Sequence, residues 1–360
     1  MKLVFFGLTI SSSWGNGHAT LLRALFRQLI GRSHEIVFFE RDVPYYADHR
    51  DLWELPGGKL VLYTEWDDVV SRARHELSDA DAAIVTSYCP DGIAASELVW
   101  SSSALRVFYD MDTPVTLFRL RAGESLTYVD QRGLGEYDLV LSFTGGGALA
   151  ALEEELGARR VAPLYGSVDP DIYQRVAPNG YYRADFSYLG TYAADRQPAV
   201  ERLFIEPARQ LPNTRFVLGG AQYPEEFPWS PNIFFVRHLP PSEHAAFFSS
   251  SRLTLNVTRD TMKAMGWCPS GRLFEASACG TPIVSDNWDG LDDFYTPGEE
   301  ILIAQSTEDA LNALQLSDAE LSKIATAARE RTLAEHSAAR RAQELEELLI
   351  RARQPETVAA

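Results

Sequence analysis

Cysteine is scarce in this sequence of 360 residues, and the three that occur are Cys89, Cys268 and Cys279. Their number is odd, and their spacing matches none of the paired patterns that bind metal ions. Neither a disulfide framework nor a cysteine metal site is therefore predicted. Free thiols are typical of a reducing compartment, so the sequence predicts a cytoplasmic protein.

Positive charge is also in short supply. The sequence has 33 lysine and arginine residues against 50 aspartate and glutamate residues, which gives a formal net charge of −17 at pH 7. Nucleic-acid backbones and anionic membranes attract basic surfaces, so this excess of acid disfavours both as the main partner. A local basic site for phosphate groups remains compatible with it.

Long apolar runs are missing as well, and no segment is long enough to span a bilayer. The run LVFFGLTI after Lys2 has only eight residues and leads into a glycine-rich turn. It therefore predicts a first β-strand and not a signal peptide. The sequence has no low-complexity tract and no repeat beyond two similar halves.

The sequence alternates short apolar strands with amphipathic helices, which is typical of an α/β fold. In the first half, strands are predicted at 2–9, 35–40, 59–63, 82–86, 105–109 and 137–143. The pattern restarts after Pro178, with strands predicted at 186–190, 215–219, 233–236, 253–257 and 283–284 and a helix at 198–210. The segment 318–352 is helical by composition. A chain of this length and pattern predicts two Rossmann-like domains.

The stretch WCPSGRLFEASACGTPIVSD, residues 267–286, predicts an anion-binding helix followed by a buried strand. Ser270 is a good N-cap, Gly271 and Arg272 fall in the first turn, and Gly280 is placed to end the helix. The first turn of a helix offers unpaired N–H groups and the positive end of the helix dipole, which suit phosphate.

Glu275 lies one turn further along the same helix. Five residues at the helical rise separate it from Ser270 by about 7 Å, which approximates the distance from a diphosphate to the ribose of the same nucleotide. A carboxylate can accept hydrogen bonds from both hydroxyls of that ribose. The alternative is a surface glutamate in an i,i+3 ion pair with Arg272.

A second glycine-rich turn follows the first strand, where Gly15 and Gly17 permit close approach of a ligand to the backbone. The spacing is wrong for a dinucleotide fingerprint, although Glu40, at the end of the second strand, is suggestive. His18 follows at the start of the next helix, which disfavours the imidazolium ion. It is predicted either to act as a neutral general base or simply to pack at the turn.

The segment Asp110-Met111-Asp112-Thr113-Pro114 follows another predicted strand, at the edge where ligands bind in such sheets. Asp112 could hold sugar hydroxyls or take a proton from a substrate. Its other predicted role is the N-cap of the next helix, just before Pro114.

Taken together, RLFEASACGTPIVSD resembles the donor-site signature of GT-B glycosyltransferases, especially family 4 and its spore-maturation (CgeB-like) relatives. The resemblance implies that Glu275 binds the ribose and that Arg196 binds the donor diphosphate. It also implies that the loop with His238 and Leu239 meets the base. Trp267 stands where family 4 has the first acid of its pair, which is a departure from the retaining pattern.

The DMDTP segment is similar to the spore-maturation group, and the glycine-rich loop that ends in His18 is similar to inverting GT-B enzymes. The expected role of Gly15 and Gly17 in that loop is to bind the donor sugar nucleotide. A base at His18 fits inversion, whereas the family 4 resemblance implies retention. Because the setting is GT-B-like, Asp110-x-Asp112 is not interpreted as a metal site.

The resemblance therefore implies a GT-B fold with two Rossmann-like domains facing across a cleft that holds the active site. The expected domains are an acceptor domain at 1–172, a donor-nucleotide domain at 173–330, and a C-terminal helix at 331–360 that packs back on the first, with a frayed end from Gln354. The expected activity is metal-independent transfer from a UDP- or dTDP-type sugar nucleotide, with no other cofactor, to an unidentified glycan, protein or small molecule. The alternatives are a sugar-nucleotide 2-epimerase and a non-catalytic glycan-binding or coat protein.

Overall fold

The computed structural model describes residues 1–354, and the chain forms two compact units. The first unit is Met1–Tyr165 together with the stretch from Ala338, and the second is Gly166–Ser337. The unit boundaries therefore lie seven residues from the predicted domain boundaries, on the N-terminal side of 172 and the C-terminal side of 330. Of the end predicted to fray, only Gln354 falls within the described residues.

The first unit is built on a seven-stranded parallel sheet with the order β3-β2-β1-β4-β5-β6-β7. Its strands are β1 Lys2–Gly7, β2 Glu35–Arg41, β3 Lys59–Tyr63, β4 Ala82–Thr86, β5 Leu105–Asp110, β6 Leu139–Ser142 and β7 Val161–Pro163. Its helices up to Tyr165 are α1 Gly17–Gly31, α2 Pro44–Ala47, α3 Trp66–Leu77, α4 Gly92–Trp100, α5 Thr113–Arg121 and α6 Gly147–Glu154.

The second unit is built on a six-stranded parallel sheet with the order β10-β9-β8-β11-β12-β13. Its strands are β8 Phe186–Leu189, β9 Phe216–Gly220, β10 Ile233–Arg237, β11 Thr254–Asn256, β12 Ile283–Ser285 and β13 Leu302–Ile303. Its helices are α7 Gln197–Val200, α8 Glu206–Gln210, α9 Pro241–Ser249, α10 Asp260–Lys263, α11 Gly271–Ala278, α12 Thr307–Gln315 and α13 Asp318–Glu335. A π-helical turn, Glu201–Ile205, joins α7 to α8, and a 3₁₀ turn spans Leu291–Asp293.

The last helix, α14 Ala338–Arg353, packs on α1 and belongs to the first unit. It contributes Leu345 and Leu349 to a buried cluster on one face of the sheet, where Leu3 and Phe5 also lie. Val4 and Phe6 point into a second buried cluster on the other face. Burial on both faces explains why the strands are almost uniformly apolar. None of the described helices is long and apolar enough to cross a membrane.

In both sheets the first strand of the unit has later strands added on one side and then on the other. The change of side falls between β1 and β4 in the first sheet and between β8 and β11 in the second. Ligands of open parallel sheets bind beyond the carboxyl ends of the strands next to such a point. The predicted fold class, α/β with two Rossmann-like parallel sheets, is confirmed.

Candidate functional site

Helix α11 begins as the sequence predicts. Ser270 has an extended backbone, and its side chain accepts a hydrogen bond of 3.3 Å from the backbone N–H of Arg272. Gly280 ends the helix in the left-handed region with φ of 72°. The first turn therefore presents the positive end of the helix dipole beyond the carboxyl edge of the sheet.

Gly271 leaves open space at that first turn. A Cβ atom built there would meet only Glu275 Oε1, at 3.8 Å. Packing within the protein therefore does not require glycine at this position. A close-fitting ligand would require it.

Glu275 is held as an ion by neighbours that sequence reasoning did not identify. Its side chain is 17% exposed, and its Oε2 atom lies 3.6 Å from Nδ1 of His244. The hydroxyl of Tyr173 is a further hydrogen-bonding neighbour. Burial acts to raise the pKa of Glu275, but His244, Arg272 and Tyr173 outweigh it, and the pKa lies below its ordinary value. The partners are thus His244 and Tyr173 and not the exposed i,i+3 ion pair of the alternative interpretation.

Arg196 and Arg272 lie close enough to repel each other. Burial lowers the pKa of the Arg272 guanidinium from its ordinary value, and the positive charge of Arg196 lowers it further. The Nε atoms of both residues are buried without a hydrogen-bond partner among the described residues. Two crowded guanidinium groups with spare donors at a helix N-terminus are chemically suited to a doubly charged oxyanion.

The loop before Arg196 is fixed by a close approach between the ends of β8 and β9. The Tyr223 hydroxyl donates a hydrogen bond of 2.9 Å to the carbonyl of Gly190. A Cβ atom on Gly220 would lie 2.0 Å from that same carbonyl oxygen, and one on Gly190 would lie 2.7 Å from the Tyr188 hydroxyl oxygen. Glycine is therefore needed at both positions for the strand ends to approach each other at the start of the loop that leads to Arg196.

His238 and Leu239 follow β10 at the same edge of the second sheet. His238 is left-handed with φ of 60°, and its N–H donates a hydrogen bond of 2.7 Å to the Gly220 carbonyl. Leu239 is buried. This turn is held by a backbone hydrogen bond within the protein, and the contact of His238 and Leu239 with a nucleotide base stays a prediction.

In the first unit, the glycine-rich turn places His18 beside Tyr88. Asn16 caps α1 by accepting a hydrogen bond of 3.0 Å from the His18 N–H, and Gly15 is left-handed with φ of 62°. A Cβ atom on Gly17 would meet nothing within 4 Å. The His18 ring stacks on Tyr88 with centroids 5.7 Å apart.

Burial lowers the pKa of His18, against the opposing influence of Asp112. A lowered pKa favours the neutral imidazole, which is the form that a general base requires. His18, Tyr88 and Asp112 form one group, since the Tyr88 hydroxyl donates a hydrogen bond of 2.8 Å to Oδ2 of Asp112.

Asp112 occupies the N-cap position of α5, but its side chain makes no capping hydrogen bond. Its Oδ1 atom is buried without a hydrogen-bond partner among the described residues. The capping role is therefore wrong for the side chain, which is directed to Tyr88. The unpaired oxygen can accept a hydrogen bond from a ligand hydroxyl.

Glu40 braces the loop that precedes the glycine-rich turn. Its buried carboxylate accepts hydrogen bonds from the Thr9 hydroxyl at 2.6 Å, from the N–H groups of Ile10 at 2.7 Å and Ser11 at 3.0 Å, and from the Ser11 hydroxyl. An acid at the end of β2 binds ribose in dinucleotide folds. In this protein the Glu40 carboxylate instead accepts hydrogen bonds from the loop after β1.

Comparison with known proteins places this geometry in a wider context. The family described as "Glycosyl transferase-like" matches residues 196–347, which include Arg196, Ser270, Arg272 and Glu275. No curated protein matches the sequence.

Solved structures match over nearly the whole chain. The sucrose-phosphate synthase from Thermosynechococcus elongatus is 15% identical with a TM-score of 0.71, covering 98% of this chain and 99% of that chain. The Anabaena HepE protein in complex with UDP and glucose is 12% identical with a TM-score of 0.65, covering 98% of this chain and 100% of that chain. An α-glucosyltransferase in complex with UDP and a 13-mer DNA is 14% identical with a TM-score of 0.66, covering 97% and 99%. At this level of identity, the likeness concerns the fold. The chain thus has the fold of the GT-B glycosyltransferases, and its segment 196–347 is glycosyl transferase-like in sequence.

Proposed function

We propose that this protein is a glycosyltransferase that transfers a sugar from a UDP- or dTDP-type sugar nucleotide to an acceptor. The observation that carries the proposal is the pair of crowded guanidinium groups, Arg196 and Arg272, at the N-terminus of α11, with the ionised Glu275 one turn further on. The pair suits a diphosphate and the carboxylate suits a ribose diol. The neighbour HepE is described in complex with UDP and glucose, which supports the same ligand class.

The diphosphate is the leaving group in such a transfer, and negative charge develops on it as the glycosyl bond breaks. Two guanidinium groups and the helix N-terminus stabilise that charge in advance of the reaction. We therefore propose that the transfer needs no metal ion and no cofactor besides the sugar nucleotide. His238 and Leu239 are assigned to the nucleotide base, and Ser270 and Gly271 to the diphosphate.

The acceptor is assigned to the first unit, at His18, and Gly15 and Gly17 keep their assignment to the donor sugar nucleotide. His18 is proposed as the base that takes the acceptor proton, and Asp112 as the acceptor of a hydrogen bond from a substrate hydroxyl. Trp267 has no carboxylate to offer at the position where family 4 has its first acid, and its indole N–H donates a hydrogen bond to Asp293. This arrangement supports inversion within a CgeB-like subgroup.

The donor site is tested by ligand-dependent stability with UDP as the probe. Wild-type protein at a UDP concentration a hundredfold above the dissociation constant should gain about 2.7 kcal/mol in unfolding free energy. Glu275→Gln removes a charged hydrogen-bond acceptor and should weaken UDP binding about tenfold to a hundredfold. The matched control is Glu299→Gln, at an exposed glutamate of the same unit, which should bind UDP as the wild type does. Equal binding by Glu275→Gln and wild type would contradict the assigned ribose contact.

The assigned base is tested separately by the product. Proton NMR of the glycoside formed from an α-linked donor should show the β-anomer, and His18→Gln should lower kcat by about a hundredfold or more while UDP binding is unchanged. A product of retained configuration, or full activity of His18→Gln, would remove His18 from the proposed mechanism.

A further inference from the structure

Three aromatic rings of the first unit lie together beside the glycine-rich turn. The rings of Trp14 and His49 stack with centroids 4.3 Å apart, and the ring of Tyr45 lies 6.1 Å from that of His49. Tyr45 is 57% exposed. We call Trp14, Tyr45 and His49 the aromatic shelf. A group of exposed aromatic rings is a candidate interaction site.

The backbone that follows the shelf is bonded to the loop after β1, although the helix that carries Tyr45, α2, buries none of its own residues. The Ser12 hydroxyl donates a hydrogen bond of 2.8 Å to the His49 carbonyl. The N–H groups of Asp51 and Leu52 each donate a hydrogen bond of 3.0 Å to the Ser11 carbonyl. Backbone that is ordered before a ligand arrives loses little conformational freedom on binding.

The position of the shelf connects it to the proposed acceptor site. Its segments lie beyond the carboxyl ends of β1 and β2. A Cβ atom on Gly15 would lie 3.4 Å from the Tyr45 hydroxyl oxygen, so the shelf borders the turn that carries His18. A ligand on the shelf would extend to the turn with the proposed base.

The charges around the shelf narrow the class of ligand. Two arginines lie nearby, and each forms an ion pair. Arg50 pairs with Asp42 and also lies over the Trp53 ring, at 5.1 Å from its centroid. Arg23 pairs with Asp51. Asp48 and Glu54 are exposed and add negative charge. A nucleic acid can stack on aromatic rings, but it also needs a basic groove for its phosphates.

A neutral saccharide can bind both to exposed aromatic rings and to the acidic side chains around them. The face of a sugar ring that carries C–H groups has a weakly positive surface, which packs on the negative face of an aromatic ring. Its hydroxyl groups donate hydrogen bonds to carboxylates. We infer that the aromatic shelf binds a neutral saccharide unit of the acceptor, an inference that rests on the proposed transferase function.

The test uses saturation-transfer-difference NMR, which detects weak binding. The probe is a mixture of neutral tri- and tetrasaccharides, added without donor. Saturation should reach the C–H protons of one ring face, because that face would lie on the aromatic rings. Tyr45→Ala and His49→Ala should each reduce the signal at least twofold.

The matched control is Phe118→Ala, at an aromatic residue of the same unit that is 59% exposed and lies outside the shelf. It should leave the signal unchanged. No saccharide signal with the wild type, an equal loss in Phe118→Ala, or a signal only with a single-stranded DNA oligonucleotide would each overturn the inference. UDP binding, measured on the same variants, separates this result from the proposed function: if UDP binds and the saccharides do not, only the shelf assignment fails.

Discussion

Asp110 is a buried acid that lies two residues before Asp112, one of the candidate groups of the first unit. It is fully buried at the end of β5, and its Oδ1 atom accepts hydrogen bonds of 3.1 Å from the Asp112 N–H and from the Thr116 hydroxyl. Burial raises the pKa of its carboxyl group from 3.8 to about 6. The folded protein therefore keeps this proton over a pH range in which the unfolded chain has lost it.

The raised pKa of Asp110 predicts that this residue lowers the stability of the folded protein by an amount that depends on pH. Between about pH 4 and pH 6 the folded state binds more protons at Asp110 than the unfolded state, so stability falls as pH rises and levels off above the folded pKa. Asp110→Asn keeps an oxygen acceptor but cannot ionise. The unfolding free energy of the variant relative to wild type should rise by about 1 kcal/mol between pH 5 and pH 7, measured by urea denaturation.

The control for this measurement is Asp67→Asn, at an exposed residue of α3. Its difference from wild type should stay constant over the same range. A constant difference for Asp110→Asn as well would mean that this carboxyl group has no raised pKa.

The residues of the candidate site differ in how far the sequence predicts them. Ser270 and Glu275 follow from helix capping and helical spacing, because both rules act within a few residues. His244 and Tyr173 come from distant parts of the chain, and no local rule links them to Glu275. The side-chain direction of Asp112 was also beyond prediction, since the N-cap rule favours a contact that Tyr88 replaces.

Glycines at the ends of β8 and β9 set the position of the loop that carries Arg196, one of the two arginines at the N-terminus of α11. Gly220 ends β9 where a side chain would collide with the Gly190 carbonyl, and Gly190 begins the loop that leads to Arg196. We therefore expect Gly220→Ala to force the ends of β8 and β9 apart. The variant should lose about 1–3 kcal/mol of stability, as overpacked sites do, and should also bind UDP more weakly because Arg196 shifts.

Gly180→Ala is the matched substitution, because a Cβ atom there would meet nothing within 4 Å. Urea denaturation and UDP titration of both variants provide the comparison. If Gly220→Ala were as stable as Gly180→Ala and bound UDP equally well, the close approach would have no role in holding Arg196.

Element types follow from periodicity, but their interruptions do not. The helix predicted at 198–210 contains a π-helical turn just before Pro207, where the Glu206 N–H bonds to the Glu201 carbonyl. Proline cannot donate the next helical hydrogen bond, which accounts for the irregularity. The helical segment 318–352 divides at His336 and Ser337, where Ser337 pairs with Val168 in a β-bridge. That contact is distant in sequence and so escapes a local pattern.

At the scale of the whole molecule, each unit has its own core and its own candidate groups. The parallel sheet in each unit agrees with the fold class that the resemblance implied, and α14 packs on α1 in the first unit. The acidic surface of the chain contrasts with the basic pair at α11, and this contrast favours a small anionic ligand over a long polyanion. The account therefore depends on one assignment, the diphosphate site of the second unit.

The measurement that tests this assignment most directly is a crystal structure of the protein with UDP. We predict that the diphosphate oxygens lie within hydrogen-bonding distance of Arg196, Arg272 and the first turn of α11, with both ribose hydroxyls on the carboxylate of Glu275. UDP bound at another place, or with its ribose directed away from Glu275, would contradict the account.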